Sequence, residues 1–374
     1  MPIAGSNIIL NSTEGMDKIS QTEKVTSPYF SDGSTTLQGS TIVSSSLTDT
    51  NETYYFGISN SSTLTTEEWN VAFGSVNGYG SNIQPNTKSE TAAIYGQYAN
   101  LLLAPTEVTG GFFISSPASN GVLASGRDPE IYVMSARRSN MKDRINKGTW
   151  TLIFSGSSSS PTLNNSASLV LTDDSANESP TATPVGDRYN IVSGAAGVIS
   201  GSGASFKNYG FFYPDMGVLV FSAQELSASI PGSGSSVDVH STVVPFKSGV
   251  GALGKHNGFA YSTSSVANTK TALRLINCLN NGGTMTFRDE EDQVSAQYFC
   301  RIRSGQMNFS NNPTFVSGSL NELRHSKMKG NPQTFISSVQ LYNSVGDIVA
   351  IGNLSTPLKK NFQSEATIKV KLTY

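Results

Sequence analysis

Charge is what this sequence has least of. Only 14% of its residues are Asp, Glu, Lys or Arg, against roughly a quarter in ordinary soluble domains, and the balance is a net charge of -2. Phosphate-bearing surfaces are held by clustered Lys and Arg, so nucleic acid and anionic membranes are not expected partners. Cysteine is nearly absent: Cys278 and Cys300 are too few for a disulfide framework or a four-cysteine zinc site. They read as buried free thiols, with a single bridge as the alternative. The three histidines, His240, His256 and His325, have no His or Cys at the i,i+3 or i,i+4 spacing of a short metal motif. No apolar run approaches the roughly 20 residues of a spanning helix, and residues 1–5 lack the basic start and apolar core of a signal peptide. Synthesis and assembly in the cytoplasm are expected.

Catalytic signatures are equally thin. No Gly-x-Ser-x-Gly elbow occurs, and Ser and Asp are too plentiful for any chosen Ser/His/Asp set to carry meaning. Gly201-Ser202-Gly203 lacks the third glycine and the following helix of a dinucleotide loop. The acidic run Asp289-Glu290-Glu291-Asp292 lacks the alternating oxygen ligands and the glycine of a calcium loop, and reads as a solvated hairpin tip. The expectation is a protein that is not an enzyme, with no catalytic residue, no cofactor and no metal site.

What is present is the composition of β-structure. Apolar content is only 37%, but 14 Tyr and 18 Phe accompany many Val and Ile, and polarity comes from Ser, Thr, Asn and 35 Gly. Disordered chains combine low hydrophobicity with high net charge and few aromatics. Here the mixture predicts a mainly-β fold, with β-sandwich-like domains, turn-rich connections and a few short helices.

Taken in order, residues 1–50 hold few large apolar side chains and read as an extended N-terminal arm around a short anchor at Tyr29 and Phe30. Residues 51–205 form a β-rich domain. Strands are expected at 53–58 and 69–74, and a helix follows Ser89, with Ile94, Tyr98, Leu101 and Leu102 on its face. Further strands lie at 130–134 and 149–154, with a short helical turn over 141–145 between them. Arg137, Arg138, Lys142, Arg144 and Lys147 make this the most basic region, either a solvated face or a contact with an acidic neighbour. A Ser/Asn-rich loop over 155–186 flanks a strand at 168–171.

Residues 206–374 form the second β-rich domain. Tyr209 to Tyr213, Pro214-Asp215-Met216-Gly217 and Val218 to Phe221 parse as strand, turn, strand. A second helix spans 271–281, with Ala272, Leu275, Ile276 and Leu279 on one face. Strands over 284–288 and 297–303 lead to the C-terminal stretch. There, strict alternation over 335–342, turn residues Asn343, Ser344, Gly346 and Asp347, and an Ile/Val/Ala run over 348–354 predict a hairpin. Pro357, Lys359 and Lys360 are expected to break the ladder before a last strand whose Ala366, Ile368, Val370, Leu372 and Tyr374 share one face.

That C-terminal stretch also carries a resemblance. Val339-Gln340-Leu341-Tyr342-Asn343, Asp347-Ile348-Val349-Ala350-Ile351-Gly352 and Leu354-Ser355-Thr356-Pro357 resemble a hairpin of virion structural proteins from large contractile-tailed bacteriophages, including cyanophage-like myoviruses. Ile94-Tyr95-Gly96-Gln97-Tyr98 and Phe212-Tyr213-Pro214-Asp215-Met216-Gly217 look similar as well. The resemblance implies a tail or baseplate component, localised to the virion after assembly in the host cytoplasm. It implies symmetric copies, with other copies of the chain and other virion proteins as partners. The alternatives are a head or neck decoration or collar protein, and a carbohydrate-binding receptor-recognition tail protein. Tyr29, Phe30, Arg137, Arg138, Tyr342 and Tyr374 are the interface candidates.

Overall fold

The computed structural model describes residues 17–44, 54–60, 66–81, 88–114, 127–155, 168–200, 208–223, 225–226, 271–280, 282–318 and 322–373. The chain divides into two compact units, Val25–Glu291 and the pair of segments Met1–Lys24 with Asp292–Tyr374. Strands β1 (Lys18–Pro28) and β16 (Arg288–Ile302) each contribute to both units.

The larger unit is built on one 13-stranded sheet. Its strands are β2 (Thr36–Gln38), β3 (Ile42–Ser44), β4 (Tyr55–Asn60), β5 (Glu67–Ser75), β6 (Glu130–Ala136), β8 (Thr151–Ser155), β9 (Ser168–Asp173), β10 (Thr181–Thr183), β11 (Gly186–Ala195), β12 (Val198–Ile199), β13 (Gly210–Tyr213), β14 (Val218–Ser222) and β15 (Thr284–Thr286). A short strand, β7 (Arg144–Ile145), pairs with β16 instead. The sheet runs in the order β2-β15-β8-β9-β11-β13-β14-β6-β5-β4-β3, with β10 and β12 both on β11. The first and last strands of that path, β2 and β3, are separated in the chain only by a 3-10 turn at Gly39–Thr41. The mainly-β expectation therefore holds, with one nearly closed sheet.

Side-chain alternation explains how that sheet is covered on both faces. Phe73, Tyr132, Met134, Phe212, Leu219 and Phe221 point to one apolar core, while Ala72, Ile131, Val133, Phe211, Tyr213, Val218 and Val220 point to another. Successive residues of a strand face opposite sides, so strands buried on both faces must be apolar throughout. The run Val218 to Phe221 is apolar at every position and is buried at every position. The first core contains Trp69, Trp150, Phe287 and Tyr29, with Trp150 stacked on Phe287 at 5.6 Å and Trp69 at 4.6 Å from the same ring.

Two helices close the two faces. Helix α1 (Glu90–Leu102) starts at Ser89, whose backbone is extended and whose carbonyl accepts the Ala93 N–H at 3.0 Å, but whose side chain makes no capping bond. Its Ile94, Tyr95, Tyr98 and Leu102 join the second core, the i, i+4, i+8 stripe of an amphipathic helix. A one-turn helix, α2 (Pro105–Val108), follows with proline at its first turn. Helix α3 (Thr271–Asn280) places Ala272, Leu275, Ile276 and Leu279 in the first core. It touches β3, β4 and β5 at one end of the sheet order and β8 at the other. Each large aliphatic side chain buried this way stabilises the fold by about 1.5–3 kcal/mol.

The hairpin at 210–222 forms as the sequence predicts, with Phe211 opposite Val220 and Tyr213 opposite Val218. Gly217 has φ +64, and a Cβ there would lie 2.8 Å from that of Ala136, so glycine is required at this turn. The division expected at 205/206 does not appear, because β11 and β13 stand on either side of it and are hydrogen-bonded neighbours.

The smaller unit has a thinner interior. Strand β16 runs between β1 and β21 (Ala366–Thr373), and its Ala296, Cys300 and Ile302 are buried with Ala366 and Ile368. Strands β17 (Val316–Ser317) and β18 (Glu322–Leu323) form a small hairpin, and β19 (Thr334–Tyr342) and β20 (Ile348–Lys360) form a long one. Both large apolar cores lie wholly within residues 25–291. Cys278 and Cys300 are both buried, with no disulfide between them.

Four further expectations are corrected. Residues 18–44 are not a free arm: β1 borders β16, β2 pairs with β15 and β3 with β4, because ladder hydrogen bonds need no apolar side chains. Residues 1–16 lie outside the described ones. The segment 141–145 ends in β7 and not in a helical turn, because its N–H groups at Asp143 and Ile145 donate to Glu290 and Pro214. The acidic run 289–292 lies inside β16, continuous from Arg288. Pro357 and Lys359 lie within β20, Pro357 at an irregularity that tolerates the missing N–H and Lys359 opposite Phe335. Lys360 is fully buried, its ammonium donating to Ser304 O, Asn308 Oδ1 and Asn361 O, each at 2.9 Å.

Candidate functional site

In a chain so poor in charge, the places where charges gather are the first to test for chemistry. The most basic and most acidic stretches meet. Pairing of β7 with the start of β16 sets Ile145 opposite Asp289 and Arg144 opposite Glu290. Lys142 Nζ lies 2.9 Å from Glu291 Oε2, and Arg144 Nε lies 3.4 Å from Glu290 Oε1. Asn146 Nδ2 donates to Glu290 Oε2 at 2.5 Å, and Arg138 Nη1 to the Asp143 carbonyl at 3.2 Å. Lys142 and Arg144 of the basic face are thus paired with the chain's own acidic run.

Behind it lies a second layer. The Glu68 carboxylate is fully buried and accepts from Ser31 N at 3.2 Å, from Ser31 Oγ, and from Asn140 Nδ2 at 2.5 Å. Its main-chain carbonyl accepts the Tyr29 hydroxyl at 2.6 Å, and that hydroxyl accepts the Arg137 N–H at 3.1 Å. Burial pushes the Tyr29 phenol far up, with the Glu68 and Asp289 charges adding to it. Asp289 is 1% exposed. Burial pushes its carboxyl up to about 7, against the pull of Lys142 and Arg138, and its Oδ1 has no hydrogen-bond partner among the described residues.

A carboxyl titrating near neutrality is the kind of group found in active sites. Here its neighbours are committed elsewhere: Tyr29 to the main chain of Glu68 and Arg137, the Glu68 carboxylate to Ser31 and Asn140, Lys142 and Arg144 to Glu291 and Glu290. Among the described residues no group of three or more His, Cys, Asp or Glu side chains is placed to hold a metal ion. The arrangement clamps the ends of β5, β6, β7 and β16 together. Its sign of burial was present in the sequence as a period of two through Met285, Phe287 and Asp289, all inward-facing, which the four consecutive acids disguised.

The other unusual feature is the β19–β20 hairpin. Its turn is closed by Asn343: the side-chain Oδ1 accepts Val345 N at 3.0 Å and Asp347 N at 2.8 Å, and Asn343 N donates to Asp347 O at 3.0 Å. Gly346 supplies the positive φ, at +99. The two strands form a 2-stranded sheet of their own. Until Lys360, no residue of either strand is buried, although Phe335 is 60% exposed, Val345 83%, Val349 60% and Ile351 58%. Between Thr334 and Leu358 the only charged residue is Asp347.

The predicted interface residues separate into three groups. Tyr29 and Phe30 are 2% exposed and belong to the first core, so they are packing residues and are corrected as interface candidates; aromatic rings beside a polar arm are drawn into the nearest apolar core. Arg137, Arg138 and Tyr342 are exposed, with Arg137 and Arg138 at the rim of the charge network and Tyr342 at the end of β19. Tyr374 lies outside the described residues, and β21 is described to Thr373. His325 is exposed, whereas His240, His256 and Gly201 to Gly203 lie outside the described residues. Among the described residues no helix is long and apolar enough to cross a membrane. Compared with protein-family models, curated proteins and solved structures, the chain finds no match.

Proposed function

We propose that this chain is a non-enzymatic structural subunit of a bacteriophage particle, a component of the tail or baseplate that works by stoichiometric association. Its partners are other copies of itself and other virion proteins, and its place is the assembled virion. The observation that carries this reading is the β19–β20 hairpin: a long apolar ribbon, exposed on both faces, carrying Asp347 as its one charge before Lys359. Contiguous exposed apolar surface marks sites of association, and an isolated two-stranded ribbon is only marginally stable in water. The same ribbon holds the residues that resemble the phage hairpin. The charge network supports the non-catalytic part of the reading, since Lys142 and Arg144 are engaged with Glu291 and Glu290, and Glu68 with Ser31 and Asn140.

The test is composition and density of purified particles whose genome encodes this chain. Quantitative mass spectrometry is expected to find it at a fixed copy number that is a multiple of three or six. Particles lacking the chain, or carrying it only in traces, would sink the proposal.

A further inference from the structure

We infer that β19 is a self-pairing edge, which joins two copies of this chain through antiparallel β19–β19 hydrogen bonding about a two-fold axis at Ser338. The inference rests on the association reading above and names the partner as a second copy. The two outer edges of the ribbon differ. Strand β20 carries both irregularities of the ladder: Ile336 and Ser338 face Leu358 and Asn353, and Leu341 and Tyr342 face Ala350 and Ile348, so the extra residues are all on β20. It also carries Pro357. Bulges and proline are devices that blunt an edge.

Strand β19 has neither. Its nine residues, Thr334 to Tyr342, include no proline, glycine or charged side chain, and among the described residues its outer edge pairs with no strand. Such an edge is a template for another strand. A two-fold at Ser338 is the one register that pairs all nine residues, setting Phe335 against Leu341 and Thr334 against Tyr342 of the other copy. Positions 335, 337, 339 and 341 then continue one face across the axis, so the apolar Phe335, Val339 and Leu341 of both copies adjoin. Like residues meet like only at Ser338, which is uncharged, as an isologous contact requires.

Charge favours the same arrangement. Asp347 lies in the turn beyond Tyr342, and Lys359 is opposite Phe335 at the far end of the ribbon. Antiparallel pairing brings the Asp347 end of one ribbon to the Lys359 end of the other, whereas parallel pairing would set Asp347 beside Asp347.

The experiment uses the full chain. Sedimentation velocity is expected to show concentration-dependent dimers. Ser338→Lys and Ser338→Glu should each weaken dimerisation about fivefold through like charges set directly opposite, and an equimolar mixture of the two should restore it. Under mild oxidation, Ser338→Cys should form a covalent dimer at least about tenfold faster than Ile336→Cys or Gln340→Cys, because only position 338 meets itself at cross-strand distance. A wild-type chain that stays monomeric, or cross-linking equal at the three positions, overturns the inference. If such a chain is nevertheless found in particles, the structural-subunit reading stands and the β19 edge takes a foreign strand. A chain that dimerises through position 338 but is missing from particles has the reverse meaning.

Discussion

Two hairpins of this chain have nearly the same sequence signature and opposite fates. Strands β13 and β14 are buried at every position, whereas β19 and β20 are buried nowhere before Lys360. Both join β-rich apolar runs through a turn with a positive-φ glycine, Gly217 in one and Gly346 in the other. The difference lies in their neighbours. The first hairpin is flanked by β11 and β6, with one face in the apolar core that α1 also joins and the other packed on Trp150. The second has no flanking strand among the described residues. Apolar content alone therefore does not make a core strand; a hairpin becomes core when the chain supplies something to lay against each face.

The comparison breaks most sharply at Phe212, fully buried and edge-on to Trp150 at 5.4 Å. Phe212→Ala should cost about 3–5 kcal/mol through lost transfer energy and a residual cavity, read as a lower denaturant midpoint. A cost below about 1 kcal/mol would place β13 with the exposed hairpin.

Next comes Asp289, which takes the buried side of the comparison despite its charge. Its folded carboxyl is raised to about 7 from 3.8, so the folded state holds the proton more tightly than the unfolded chain. Stability from this group is fully present below the unfolded value and is lost as pH rises towards 7. At one pKa unit per 1.4 kcal/mol, the loss is at most about 4 kcal/mol. Asp289→Asn should therefore be nearly neutral at pH 4 and stabilising by about 2–4 kcal/mol at pH 8. Urea titrations of both proteins at the two pH values measure it, and a pH-independent difference would show that Asp289 is solvated.

The smallest effect belongs to the hairpin tip. Val345→Ser, at a side chain 83% exposed, should change the stability of the isolated chain by no more than about 0.5 kcal/mol. A larger loss would reveal packing that covers the tip.

Much of the fold was legible because strands announce themselves by local pattern. Tyr209 to Phe221 and the hairpin after Thr334 were readable from alternation and turn residues, and helix α3 from the spacing of Ala272, Leu275, Ile276 and Leu279. The misreadings share one cause. Tyr29 and Phe30 looked like an anchor for a neighbouring subunit, and Asp289 and Glu290 looked like a wet tip, because local polarity dominates a window of a few residues. Each was decided by groups far away in the chain: Glu68 and Arg137 for Tyr29, Arg144 and Asn146 for Glu290.

The sequence by itself determined that this protein is mainly β, weakly charged, and equipped with a C-terminal hairpin, because those properties follow from composition, alternation and turn chemistry. Only the tertiary structure decided which hairpin is buried, where the acidic run goes and which strand edge has no partner among the described residues. Those outcomes depend on pairings between residues distant in the chain, 144 positions for Asn146 and Glu290, and no local pattern encodes the partner of a strand.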